Sequence, residues 1–237
     1  MPKNMENFLN PQNNIHESVI APNVEVEPGF VEFVPQEFIN DPAGYFEREG
    51  KNIKTGEIKY SELGTVREDP TAVKDLPVWK NAEGVEIQTV GRRVNTTKGM
   101  VGESGDPFHE YKILERLAQM GLSAAKPIAK AEQAGLHIII MERIPGLRWS
   151  ERDSLNLKER GYSDEDIAAL MAEAEQKMSE LKTQFDEAGV IRGWKLKDMV
   201  FQLDVENKKI SSMVPTDWER TKIVEMTKKD SDPRVSF

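Results

Sequence analysis

The sequence predicts an α+β fold built on an antiparallel sheet, and three observations carry that expectation. Short β-prone runs separated by turn signals fill the first half, two amphipathic helices of unequal length follow, and a second hairpin stands near the end.

The elements follow in chain order. Residues 1–57 are rich in Asn, Pro and Glu, with apolar residues in short clusters (VEVEPGFVEFVPQEFI) between prolines that would break a long helix. This stretch reads as a partly flexible N-terminal extension. The alternation of Val24 and Val26, then Phe30, Val31, Phe33 and Val34, would suit an edge strand or a docked segment. Between Ile58 and Val94 the runs IKYSELGTV, TAVKDLPVW and GVEIQTVGRRV, divided by Asp-Pro and Asn-Ala-Glu-Gly signals, read as an antiparallel meander. Polar, Gly-rich NTTKGMVGESGDP is a loop. Ile113, Leu114, Leu117 and Met120 then recur at helical spacing, and Gly121 stops the helix.

Ala125–Glu132 and Leu136–Met141 are strands joined by a Gln-Ala-Gly turn. The unbroken apolar run HIIIM fits a strand covered on both faces. A long helix spans about Asp164–Glu187, with Ser163 and Asp166 as a capping pair. Ile167, Leu170, Met171, Ala174, Met178, Leu181 and Phe185 form its apolar stripe, and Gly189 lies past its end. MVFQLDVENKKISSMVPTDW reads as a hairpin turning at Glu-Asn-Lys-Lys, with Asp204 and Glu206 as turn residues.

Composition narrows the function classes. The 237 residues carry 32 Lys+Arg against 41 Asp+Glu, a net charge of -9 with no basic block interleaved with aromatics, which argues against a nucleic-acid partner. The absence of cysteine excludes a disulfide framework, a Cys-ligated zinc and a thiol nucleophile, and three scattered histidines argue against a His-based metal site. No apolar run reaches the roughly 20 residues of a membrane span, and the N-terminus lacks a signal peptide's apolar core. The expectation is a soluble, cytoplasmic chain with no membrane partner.

The order of elements, with Glu110 in HEYKIL, the strand ending MERIPG, the basic loop IRGWKLKD and the segment TDWER, resembles the protein-kinase-like superfamily, especially its aminoglycoside-phosphotransferase-like and small bacterial branches. The likeness covers roughly Ile58–Arg220. It implies a two-lobe fold: an antiparallel N-lobe sheet with one helix over about 58–147, and an abbreviated, mainly helical C-lobe over about 148–237. The roughly twenty residues after Asp217 are too few for the platform helices of protein kinases, so the domain is expected to be truncated.

The resemblance also implies a nucleotide site for ATP and magnesium. Glu110 matches the helix carboxylate that holds a strand cation against the phosphates; the cations available in TVGRRV are Arg92 and Arg93, with Lys98 already in the loop. Gly64 is the sole glycine near the first turn, where the family has several. In MERIPG, Met141 would line the rear of the pocket and the backbone of Glu142 and Ile144 would meet adenine. Asp217 matches the metal-binding aspartate and Asp198 would supply a second oxygen ligand. The two stand somewhat further apart than the family usually shows, so the hairpin between them would be enlarged.

The catalytic loop departs from the family's pattern. Aligned from the front, Arg192 replaces its His and Trp194 its catalytic Asp; aligned from the back, Asp198 takes the Asn position and the loop is one residue short. Neither register leaves a carboxylate where the base belongs. Asp198 and Lys195 are the remaining candidates for a catalytic role, and Lys195 and Lys197 would neutralise phosphate charge. Three readings stand: a degenerate kinase-like domain that binds a nucleotide, transfers phosphate weakly or not at all and acts through a protein partner; a minimal active phosphotransferase using Asp198, Asp217 and an unconventional base; or an α+β scaffold without a nucleotide site.

Overall fold

The computed structural model describes residues 21–52, 73–94, 105–149, 152, 155–218 and 220–224. Its first lobe is a six-stranded antiparallel sheet. In chain order its strands are β1 (Asn23–Val26), β2 (Lys51–Asn52), β3 (Val73–Asp75), β6 (Thr89–Val94), β7 (Pro127–Gln133) and β8 (Leu136–Glu142); in space they run β1-β7-β8-β6-β3-β2. The β7–β8 hairpin turns through Ala134 and Gly135, both at positive φ. Successive positive φ values match the right-handed twist of the flanking strands. Ile138, Ile139 and Ile140 are all buried, so the run HIIIM is covered on both faces as its sequence predicts.

Each face has its own cover. On one lies α3 (His109–Gln119), whose Leu114 and Leu117 are fully buried. Gly121, at φ 69, reverses the chain there, and the Leu122 amide donates to the Leu117 carbonyl, closing the helix. The other face is covered by α1 (Gln36–Asn40) and α2 (Pro42–Glu49). Phe38, Tyr45 and Phe46 from these helices pack with Trp79, Ile128, Ile138 and Ile140, and the Trp79 indole donates to the Tyr45 hydroxyl at 3.0 Å. The prolines limit these helices to five and eight residues without stopping them; Asp41 caps α2 through the Gly44 amide at 3.1 Å. With β1 paired to β7, residues 23–52 supply an edge strand and much of this lobe's core.

The meander differs from its sequence expectation in one respect. IKYSELGTV and Gly64 lie outside the described residues, and TAVKDLPVW yields two short strands instead of one. Pro77 cannot donate to a ladder and divides β3 from β4 (Trp79–Lys80). β4 then pairs with β5 (Glu86–Ile87) in a separate ribbon, while β3 pairs with β6. The Asn81–Gly84 turn that closes the ribbon is held by the Asn81 side chain, which accepts from the Val85 amide at 2.8 Å.

Arg143–Gly146 carries the chain into the second lobe. Gly146, at φ 127, is required there, because a Cβ would collide with the Phe201 carbonyl oxygen. That approach lets β9 (Leu147–Arg148) pair with β11 (Met199–Asp204), which forms the expected hairpin with β12 (Lys209–Pro215). The long helix is α4 (Asp164–Glu187), and its predicted cap is present: the Ser163 hydroxyl accepts from the Asp166 amide and the Asp166 carboxylate accepts from the Ser163 amide. Beyond Gly189, β10 (Val190–Ile191) pairs with β13 (Lys222–Ile223). No helix among the described residues is long and apolar enough to cross a membrane.

Where β1 leads into the face of α3, charge accumulates. The Tyr111 hydroxyl donates to Glu27 at 2.8 Å, and Lys130 pairs with Glu25 at 2.9 Å. Burial, then a hydrogen bond shared with Glu27, holds the Glu115 carboxyl above its ordinary range; Lys130 opposes this and Glu25 adds to it. The folded chain therefore retains a proton that the unfolded chain releases. Its stability falls as pH rises from about 4.5 through the raised value of Glu115 and is not recovered above it. Glu115→Gln is expected to raise the melting temperature by roughly 2–4 °C at pH 7 and to leave it unchanged below about pH 4, as read by calorimetric scans.

Candidate functional site

Strand alternation sends Arg92 and Arg93 to opposite faces of β6. Arg92 turns toward α3 and ion-pairs with Glu110, with side chains only 15% and 8% exposed. Arg93 turns to the other face and pairs with Glu47 of α2 at 2.9 Å. Of the two basic candidates left open by the sequence, Arg92 is thus the one that meets the helix carboxylate. Glu110 sits in the first turn of α3, where the helix dipole also favours a negative charge. Lys98 lies outside the described residues.

Below the sheet, the segment MERIPG forms the connection between lobes. Met141 ends the buried part of β8 and packs, with Ile144, against a cluster that includes Leu114, Leu117 and Trp218. The Glu142 amide donates to the Lys126 carbonyl at 2.8 Å, and the Arg143 amide to the Gln88 carbonyl at 2.8 Å. The Glu142 amide is therefore engaged within the first lobe. Ile144 makes no hydrogen bond among the described residues.

The loop between β10 and a short 3-10 turn at Leu196–Asp198 is built on aromatic packing. The buried Phe185 ring from the end of α4 stacks on Trp218 at 5.6 Å and meets Trp194 edge-on at 5.4 Å. The Arg192 guanidinium lies 4.3 Å from the Trp218 ring centroid and 5.0 Å from that of Trp194, and it donates to the Thr216 carbonyl at 2.7 Å. These are cation–π distances. Burial lowers the arginine's pKa from its ordinary value, while Asp198 and Asp217 pull it back up. Trp194 is thus a packed wall residue with no acid–base capacity.

Asp198 and Asp217 stand at the same end of the hairpin, one just before β11 and the other two residues after β12. The Thr216 amide and hydroxyl both donate to the Asp198 carbonyl at 2.8 Å, which ties the start of β11 to the residue before Asp217. Asp217 itself is exposed and adopts a left-handed backbone, φ 65, a conformation uncommon for a residue other than glycine. Both carboxylates bear electrostatically on Arg192. Among the described residues no group of three or more His, Cys, Asp or Glu is placed to hold a metal ion. Lys195 and Lys197 are exposed and make no ion pair among the described residues, so both stand in solvent beside the site.

Three features of the site are not evident from the sequence motifs. They are the guanidinium of Arg192 over two indoles, the Thr216 tie, and a bridge from His109 Nε2 to the Thr221 carbonyl at 2.9 Å that links α3 to the second lobe. The close recurrence of Arg192, Trp194 and Trp218 around the hairpin is the one available signal for the first of these.

No protein-family model matches the chain, and no curated protein matches it. Among solved structures, the chain is similar to WaaP in complex with acyl carrier protein: 15% identity, 88% of this chain and 76% of that chain covered, TM-score 0.47.

Proposed function

We propose that this chain is a degenerate kinase-like domain that binds ATP with magnesium between its lobes, transfers phosphate weakly or not at all, and acts through a protein partner. The observation that carries the nucleotide reading is the Arg92–Glu110 ion pair between sheet and helix, because it fixes a cation where α- and β-phosphates would lie. At the lobe connection, the Ile144 amide and the Glu142 carbonyl are the groups that would meet adenine, with Met141 behind them.

The carboxylates of Asp198 and Asp217 are hard oxygen donors and suit magnesium, which when bound would neutralise phosphate charge. Arg192 beside both reduces what a divalent cation gains there, so the expected metal affinity is modest. Trp194 limits turnover. It cannot accept a proton, its ring is held against Phe185, and loss of a general base lowers rates by roughly 10²- to 10⁴-fold.

A second reading, an active minimal phosphotransferase, draws support from the Thr216 tie that holds Asp198 and Asp217 at one end of the hairpin. Radiolabelled γ-phosphate transfer with Mg-ATP separates the two. The degenerate reading expects transfer near background, unchanged by Asp217→Ala. Robust transfer abolished by that substitution would establish the active enzyme instead.

A further inference from the structure

A cavity of about 330 Å³ opens in the second lobe, and none of the candidate nucleotide or metal residues lines it. Its floor is made by the buried Leu170, Phe201 and Ile210, and its walls include the half-buried Leu157, Ile167 and Met171. Protein interiors are ordinarily packed with few voids larger than a water molecule, whereas small-molecule sites begin at roughly 300 Å³. The space is large enough to be a site.

The turn that carries Leu157 is braced by groups outside the cavity. The Arg160 amide donates to the Asn156 carbonyl at 3.2 Å, and the Tyr162 amide to the Leu157 carbonyl at 3.0 Å. Tyr162 is buried, with the Lys208 ammonium 5.3 Å from its ring centroid, and Lys208 pairs with Asp166 of α4 at 2.6 Å. Turn, hairpin and α4 are thus tied together beside the cavity, so the fold itself holds it open. A pre-formed concavity of this kind binds a small molecule without the cost of ordering a loop.

The polar groups of the lining narrow the chemistry by being already engaged. Lys158 pairs with Asp164 at 2.7 Å, and the Arg152 guanidinium donates to the Trp149 carbonyl at 3.2 Å. Lys158 and Glu159 are both exposed and opposite in sign, so the rim selects neither an anion nor a cation. Among the described residues, no lining side chain has a buried polar atom lacking a hydrogen-bond partner. A polar group carried into this cavity would lose its water and gain no buried partner, and an ionised group would lose more. We propose that this cavity is a second ligand site, apart from the candidate nucleotide residues, that takes an uncharged, apolar small molecule. Affinity comes from apolar surface removed from water against Leu157, Ile167, Met171 and Phe201.

The test is a fluorescence titration of the full chain with uncharged N-phenyl-1-naphthylamine and, as its charged counterpart, 8-anilinonaphthalene-1-sulfonate. The expected result is one saturable site per chain for the uncharged probe, undiminished by saturating Mg-ATP, with the sulfonate bound at least tenfold more weakly. Met171→Trp and Leu157→Trp fill the cavity from two different walls, and each variant that keeps the parent's circular dichroism should weaken the uncharged probe at least tenfold. Non-saturable binding, equal or tighter binding of the sulfonate, displacement by Mg-ATP, or a folded filling variant that binds the probe as the parent does would overturn the proposal. A chain that fails to bind Mg-ATP would defeat the proposed function and leave this site standing.

Discussion

Phe185→Ala is expected to destabilise the fold by about 3–5 kcal/mol. Phe185 is fully buried at the end of α4, stacked on Trp218 and edge-on to Trp194. It also belongs to the cluster in which α3 residues Ile113, Leu114 and Leu117 meet Val190 and Trp218. Its removal leaves a cavity where the lobes join and deprives both indoles beneath Arg192 of their support. Chemical denaturation should show the loss in the midpoint with little change in slope. A loss below about 1 kcal/mol would mean that the lobes are not held together by this aromatic layer.

Arg92→Met should cost about 3–5 kcal/mol, because it strands the Glu110 carboxylate at a site where its side chain is only 8% exposed. The double variant Arg92→Met/Glu110→Met is expected to recover much of that loss, since replacing both members of a buried pair by apolar groups is often neutral. Nucleotide affinity should separate from stability in this series. If Arg92 meets the phosphates as proposed, it falls in both variants, because the cation is gone from both. If the double variant bound nucleotide as the parent does, Arg92 would be a structural residue alone.

Local chemistry made much of this fold legible from sequence. Ser163 and Asp166 form their capping box, Gly121 ends α3 at positive φ, and Ala134-Gly135 closes a hairpin, because each signal acts within a few residues. Long-range register was not legible. Asn23–Val26 reads as part of an extension until β7 is present to pair with it, and Phe38, Tyr45 and Phe46 become core only against the sheet.

The same division runs through the site. The sequence names Arg92 and Arg93 equally, and only the placement of α3 on one face and Glu47 on the other distinguishes them. That Trp194 is no base follows from its identity. That Arg192 lies over Trp194 and Trp218, beside Asp198 and Asp217, depends on how the loop closes back on Thr216.

Isothermal titration of the full chain with Mg-ATP, in parallel with Asp217→Asn, tests the central claim most directly. Asp217 is exposed, so the variant should fold as the parent does. The expected result is saturable binding of one nucleotide per chain, weakened about tenfold in Asp217→Asn, a change of about 1.4 kcal/mol. No detectable heat from a folded parent at millimolar nucleotide would contradict the account and leave an α+β scaffold without a nucleotide site.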